Sequence, residues 1–215
     1  MGTGAVGSAI ASKLAALGHE VTMGSRTAAN ERAAQWAAAA GAGAAHGTFA
    51  EAAARAELVF NCTGGEVSLD ALQAAGAANL AGKVLVDVSN GLDFSQGRPP
   101  NLTVCNTTSI GEQIQQAFPD ARVVKALNTV NHAVMVDPGR LAGPHNVFIC
   151  GDDAAAKAAV VELLASFGWP RDAVIDLGGI AAARGPEMYV PLWLRLMGAV
   201  GGAEFNIAVV RPPAP

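Results

Sequence analysis

Charge is scarce in this 215-residue chain: Asp, Glu, Lys and Arg make up 15% of it, the net charge is -4, and Lys and Arg never run together. Nucleic acid and anionic membrane surfaces are held by clustered positive charge, so neither is expected as a partner, and each basic residue acts locally. Long apolar runs are missing too. Leu192 to Val200 is too short and too interrupted to cross a bilayer, and the N-terminus lacks the charged and apolar regions of a signal peptide, which implies a cytoplasmic protein. The three cysteines, Cys62, Cys105 and Cys150, are odd in number, widely spaced and set in strand-like apolar contexts. They read as reduced core thiols, with neither disulfide nor metal-ligand spacing. A G-x-S-x-G elbow and a Ser-His-Asp order are both absent, which leaves a hydrolase without support, and no motif marks Lys125 as a Schiff-base lysine.

What the chain does have is apolar substance: 51% of its residues are hydrophobic, enough for one large domain or one domain with a small appendage. Helical and strand-like patterns alternate. Val6, Ile10, Leu14 and Leu17 recur at helical spacing and Gly18 supplies a stop. The strand EVTMGS, an Ala-rich helix over 31–40, a Thr48-capped helix and the strand ELVFNCT follow. A helix near 69–77, the strand KVLVDVS, a looser stretch over 91–104, a helix near 110–118 and the strand ARVVKAL continue the pattern, then NVFICG, a helix over 154–167 and AVIDLG. Continuous Val, Ile and Leu runs suit strands covered on both faces, so the expected fold is a doubly wound, mostly parallel α/β sheet of the Rossmann type. Residues 1–180 form that domain; residues 181–215 add an apolar helix over 186–200, a short strand at FNIAVVR and a disordered PPAP ending. The exposed apolar face of that helix suggests a homodimer.

Gly2, Gly4 and Gly7 fit the G-x-G-x-x-G spacing that lets a backbone turn sharply, approach a pyrophosphate and start a helix packed on a sheet. Such a turn normally follows a buried strand, and only Met1 precedes it here. The sequence therefore predicts a sheet whose first, central strand is missing, with unpaired backbone on two buried neighbours and Met1 as the end of that strand. About 20 residues on, where dinucleotide folds read the adenosine ribose, an acidic residue would select NAD. The chain offers Ser25, Arg26 and Thr27 instead; short hydroxyls and a guanidinium fork suit a 2′-phosphate, hence NADP(H). The plain alternative is that Ser25 caps the next helix and Arg26 is merely solvated.

Ligands of open α/β sheets lie beyond the carboxyl ends of the strands. Three strands here run into polar residues: Thr63-Gly64-Gly65, Ser89-Asn90-Gly91 and Asn128-Thr129, with Asn131 and His132 just beyond. Each group singly suits an ordinary turn; together they can surround a nicotinamide. His19 sits at the opposite edge, His46 and His145 start short strands without metal-spaced partners, and His132 alone among the histidines falls near the cleft.

These residues carry a resemblance. GTGAVGSAIASKLAALGHEVTMGSR, VFNCTGG, VDVSNGLD, VVKALNT and the closing helix before FNIAV are together similar to the NADP oxidoreductases dependent on coenzyme F420, a deazaflavin, over nearly the whole chain from Gly2. The same domain resembles the cytosolic part of the STEAP metalloreductases, which use flavin. The resemblance implies that Thr3, Gly4, Ala5, Val6, Ser25 and Arg26 hold NADP, joined by Gly2, Thr63, Gly64 and Asn90. It implies that Asn128, Val130 and the C-terminal segment line the deazaflavin face, with His132 nearby. Some members carry His where Asn128 stands. Hydride transfer between stacked rings at about 3 to 3.5 Å rests on positioning and needs no nucleophile, in keeping with the missing catalytic acids. The alternatives are an NADPH-dependent reductase of a flavin or a small carbonyl compound, and a non-catalytic NADP-binding protein.

Overall fold

The computed structural model describes residues 1–212. The chain alternates as α1 (Ala5–Ala16), β1 (Val21–Ser25), α2 (Glu31–Ala40), β2 (Ala44–Thr48), α3 (Phe49–Arg55), β3 (Leu58–Asn61), α4 (Gly65–Ala75), α5 (Ala77–Leu80) and β4 (Val84–Asp87). A small antiparallel hairpin of β5 (Leu92–Asp93) and β6 (Asn101–Leu102) comes next, then α6 (Ile110–Ala117), β7 (Arg122–Ala126), α7 (His132–Val136), β8 (Val147–Cys150), α8 (Ala154–Phe167) and β9 (Val174–Asp176). Two helices, α9 (Arg184–Met188) and α10 (Val190–Val200), end the regular structure.

The strands lie in the order β2-β1, then β3-β4-β7-β8-β9, all parallel except for the antiparallel β7–β8 pair. Among the described residues no strand ladder joins β1 to β3. Met1 and Gly2 bridge the two halves at one end only: the Met1 amino group donates to Phe60 O (2.6 Å), Cys62 N donates to Met1 O (2.9 Å), and Gly2 N donates to Gly24 O (3.0 Å). The gap expected from the sequence is thus present, and Met1 and Gly2 reach across it at its carboxyl end.

The sheet's two faces carry separate cores, as the period-2 alternation of strands requires. Val84 and Val86 of β4 join Ile10, Phe60, Val124, Leu164, Phe167 and Trp169 on one face, while Leu85 joins Phe49, Leu72, Ile110, Ile114 and Val123 on the other. Local signals place the helices: Asn30, Thr48, Ser109 and Asp153 each accept from a backbone N–H at the starts of α2, α3, α6 and α8, and Thr48 with Glu51 forms a capping box.

Four expectations change. Cys105 is exposed, because the apolar residues before it belong to the surface hairpin; Cys62 is half-buried and Cys150 is buried as expected. The C-terminal helix is two helices broken at Tyr189, with Pro191 opening the second, and α10 buries only Val190. FNIAVVR is extended but forms no regular strand. It is held by the residue just before β8: Asn146 N donates to Ile207 O, and the Asn146 side chain accepts from Val209 N, so an amide side chain replaces a ladder. α4 begins at Gly65, since the chain turns into it directly from β3, whereas α7, opened by Asn131, was not legible. The ending read as disordered lies, apart from Pro212, outside the described residues.

Arg184 at the start of α9 forks onto Glu112 of α6 (2.6 and 2.8 Å), and this pairing, with help from Ser109, holds the Glu112 carboxyl below its ordinary pKa. A depressed carboxylate pKa adds stability above the ordinary value of about 4.3, and the gain is lost as pH falls through the lower folded value. Chemical denaturation across acid pH is therefore expected to show a shallower stability loss for Glu112→Gln than for the parent chain.

Candidate functional site

The G-x-G-x-x-G turn is built as the spacing demands. Gly2 has φ +101°, and a Cβ there would lie 2.7 Å from Cys62 O; a Cβ on Gly7 would collide with Gly2 O. A Cβ on Gly4 would meet nothing within 4 Å, so the outer side of the turn is open. Gly4 caps α1 without a side chain and the first turn of α1 holds no acidic residue, so its N–H groups and dipole face outward, suited to an anion.

At the end of β1, Ser25 is buried and its hydroxyl donates to Thr27 O (2.6 Å). The alternative that it caps α2 is excluded, because Asn30 accepts from Ala33 N there. Arg26 is exposed, and among the described residues it has no ion pair. Ser25 thus shapes the turn that presents Arg26, and Gly2 N bonded to Gly24 O ties that turn to the glycine loop.

The strand ends meet as expected. Gly64 caps α4, Gly65 N donates to Asn90 O (2.9 Å), and a Cβ on Gly65 would overlap Asn90 and Gly91. Asn90 and Asn128 lock reciprocally: Asn90 Nδ2 donates to Asn128 O and Asn128 Nδ2 donates to Asn90 Oδ1, both at 2.9 Å, while Asn128 Nδ2 also reaches Pro186 O in α9 (3.0 Å). Asn128 follows Leu127, a buried residue at φ +63°. That conformation costs about 1–3 kcal/mol in a non-glycine residue and turns the chain sharply at the rim. Val130 is buried, 5% exposed, and joins the core cluster under this rim. Asn131 caps α7, and the half-buried His132 opens that helix. Two hydroxyls at this rim, Ser89 Oγ and Thr129 Oγ1, are buried without a hydrogen-bond partner.

Beneath the rim lies a network that the sequence reading missed. Lys125 Nζ, fully buried, bonds Asp87 Oδ2 (2.7 Å), Ser89 O (2.7 Å) and Glu187 Oε1 (2.8 Å). Asp87 Oδ1 accepts from Asn61 Nδ2 (2.8 Å) and Ser89 N (3.2 Å), and Asn61 joins Ser68 and Thr63. Glu187 accepts from Ile110 N and Gly111 N (2.8 and 3.0 Å) at the start of α6. Burial by itself would lower the Lys125 pKa, but Asp87 and Glu187 outweigh it and hold the ammonium above its ordinary value. Burial pushes the Cys62 thiol up to about 11 and Cys150 up to about 12, so neither is a thiolate nucleophile at neutral pH. The available signal was one charged residue inside each apolar run: Asp87 in KVLVDV, Lys125 in VVKAL and Glu187 before YVPLW.

Doubly wound sheet, glycine turn and polar rim define an α/β protein of the dinucleotide-binding type. The family model described as NADP oxidoreductase, coenzyme F420-dependent, matches residues 1–91. A solved protein from Arthrobacter sp. FB24, assigned as an F420-dependent NADP reductase, is 54% identical, with a TM-score of 0.92 over 98% of this chain and 97% of its own. The chain belongs to the family of coenzyme F420-dependent NADP oxidoreductases. It is also 36% identical over 118 residues to the rat metalloreductase STEAP3 (55% of this chain, 22% of that protein). With the F420-dependent NADP reductase of Methanocaldococcus jannaschii it shares 31% over 120 residues (54% and 52%). It thus spans about a fifth of the first and half of the second. Among the described residues no helix is long and apolar enough to cross a membrane.

Removing one member of a buried ion network strands the others, which costs about 3–5 kcal/mol. Lys125→Met should lower unfolding free energy by about that amount in urea titration, and the double variant Lys125→Met/Asp87→Leu should recover part of the loss.

Proposed function

We propose that this chain passes a hydride between NADP(H) and coenzyme F420. The carrying observation is the pairing of two features on one rim: the acid-free, uncapped start of α1 at Gly4, and the exposed Arg26 presented at the end of β1. The fit is chemical. Outward N–H groups of Ala5 and Val6, beside Gly2, Thr3 and Gly4, suit a pyrophosphate, and the Arg26 fork suits a 2′-phosphate where NAD-selective folds place an acid. Thr63, Gly64, Asn90, Ser89 and Thr129 line the way to the nicotinamide end, the last two with hydroxyls that still lack partners.

When bound, the dinucleotide supplies the hydride and the deazaflavin accepts it together with a proton from solvent. The chain's own contribution is position. Leu127 and the Asn90–Asn128 lock fix the floor of the cleft, and the Asn128–Pro186 bond holds α9 against it as the second wall. Val130 stiffens that floor from behind, and His132 stands at its margin. A flavin or small carbonyl acceptor is the second reading, favoured by the higher identity to STEAP3 than to the archaeal reductase. Leu192 and Val200, both more than half exposed on α10, support a homodimer; a monomeric mass in light scattering would remove that part.

Arg26→Ala is expected to weaken NADPH by about 1.5–3 kcal/mol, roughly 10- to 150-fold in Kd, and to leave NADH nearly unchanged. Equal losses for both would refute the 2′-phosphate site. NADPH oxidation followed with the deazaflavin, and separately with FMN and FAD, decides the acceptor: turnover with F420 alone supports the reading, turnover with flavin alone favours the second, and tight binding without turnover leaves a binding protein.

A further inference from the structure

The segment after α10 is tied to the body of the fold through one imidazole. His145, half-buried just before β8, uses both ring nitrogens: Nε2 lies 3.1 Å from Pro138 O and Nδ1 lies 2.9 Å from Asn206 Nδ2. Its ring meets that of the buried Trp169 edge-on, with centroids 5.0 Å apart, and Trp169 is itself fixed by Nε1 donating to Met135 O. A carbonyl can only accept, so Nε2 carries the proton toward Pro138. The Asn206 amide is oriented independently. Its Nδ2 also donates to Asn146 O (2.8 Å), and turning the amide over would set oxygen against oxygen. Nδ1 is therefore a bare lone pair, and the arrangement exists only with a neutral ring.

We propose that His145 is a pH-sensitive latch for the segment 204–210, holding Asn206 while the ring is neutral and expelling it when the ring is protonated. A proton on Nδ1 faces the Asn206 N–H group, donor against donor. If the amide turns to offer Oδ1 instead, the Asn206–Asn146 bond is lost and two oxygens meet. The held state already leaves Asn206 Oδ1 buried without a hydrogen-bond partner, which narrows the margin by which it is favoured. Water reaches the ring through a recess of about 270 Å³ lined by Pro138, Leu141, His145, Trp169 and Asp172. The charged and titratable groups on the segments around the ring are His132, Asp137 and Arg140 before it, Cys150 of β8, Arg171 and Asp172 beyond Trp169, and Glu204 and Arg211 of the held segment. Arg140 is paired with Glu204 and Arg171 with Glu162, burial pushes the Cys150 thiol up to about 12, and among the described residues no carboxylate pairs with the ring. A protonated His145 thus gains no ion pair that would keep the latch shut. The segment is held above the range in which a free imidazole titrates, about pH 6.5, and released as pH falls through it. Two contacts carry the release further. Phe205 stacks on Trp193 of α10 (5.3 Å between rings), and Asn146 holds Ile207 and Val209, so departure of Asn206 loosens α10 and opens those two bonds to water.

The test follows amide hydrogen exchange of the full chain near pH 8 and near pH 5.5, the latter still above the ordinary carboxylate range of about 4. Each rate is divided by that of an unstructured peptide at the same pH. The Val209 amide, bonded to Asn146 Oδ1, reports the latch, and the Val124 amide in β7 reports the sheet. Protection of Val209 should fall about tenfold or more at the lower pH while that of Val124 stays within about twofold. His145→Asn, which accepts from Asn206 through its own Oδ1 and takes no proton, should abolish the fall although His19, His46 and His132 remain. Asn206→Asp should invert it: its carboxylate faces a bare nitrogen near pH 8 and an imidazolium near pH 5.5, so Val209 becomes better protected at the lower pH. Val209 protection that does not change with pH in the parent chain would overturn the proposal. So would a fall shared equally by Val124, a fall that persists in His145→Asn, or the same direction of change in Asn206→Asp as in the parent. None of these readouts depends on cofactor binding or turnover.

Discussion

Lys125 is the residue on which the cleft depends. Its ammonium sits where three strand ends and the helices α6 and α9 converge, and it is the only positive charge set directly against Asp87 and Glu187 among the described salt bridges. A single cation facing two carboxylates leaves a local excess of negative charge. That excess is relieved by donors: Asn61 Nδ2 and Ser89 N on Asp87, and the first N–H groups of α6 on Glu187. Buried ion groups contribute little net stability compared with apolar packing, yet they are intolerant of misplacement. Here they specify where α9 comes to rest, and so where Pro186 meets Asn128.

The dinucleotide side of the rim is organised on the opposite principle, by removing atoms. Gly7 lets α1 lie against Gly2, Gly65 lets α4 approach Asn90, and Gly24 lets α3 approach β1 through Ala52. The start of α1 is thereby drawn close to the carboxyl edge of the sheet, where its N–H groups are available to phosphate with no acidic side chain in its first turn. Scarcity of charge in the sequence and competence to hold an anion are then compatible, and in the function proposed above the exposed Arg26 is the guanidinium that adds selectivity.

Most of the sheet was legible because its strands are continuous runs of Val, Ile and Leu, and the helices because their caps and stops are local: Asn30, Thr48, Ser109 and Asp153 at the starts and Gly18 and Gly168 at the ends. The glycine turn, the Ser25-Arg26 position and the three polar strand ends could be aligned because parallel strands share one carboxyl edge. What escaped was non-local. Nothing near Glu187 in the chain says that it will cap a helix that begins at Ile110, and Leu127 has no local reason to adopt φ +63°. The exposure of Cys105 and the break at Tyr189 likewise follow from where neighbouring segments pack, not from their own composition.

The reversal of β8 decides which parts of the polypeptide share the rim. Because Lys125 pairs with Cys150 and Ala126 with Ile149, the entrance of β8 rather than its exit lies beside Asn128, and Asn146 there holds the segment around Ile207 and Val209. The last residues described thus arrive at the same edge as the first. One side of the rim is made of strand exits, whose backbone is committed to the sheet; the other is a ribbon held by side chains, through Asn146, His145 and Arg140. Insertions or exchanges in that ribbon break no ladder, so this side of the fold can vary while the strand-exit side stays under full geometric constraint.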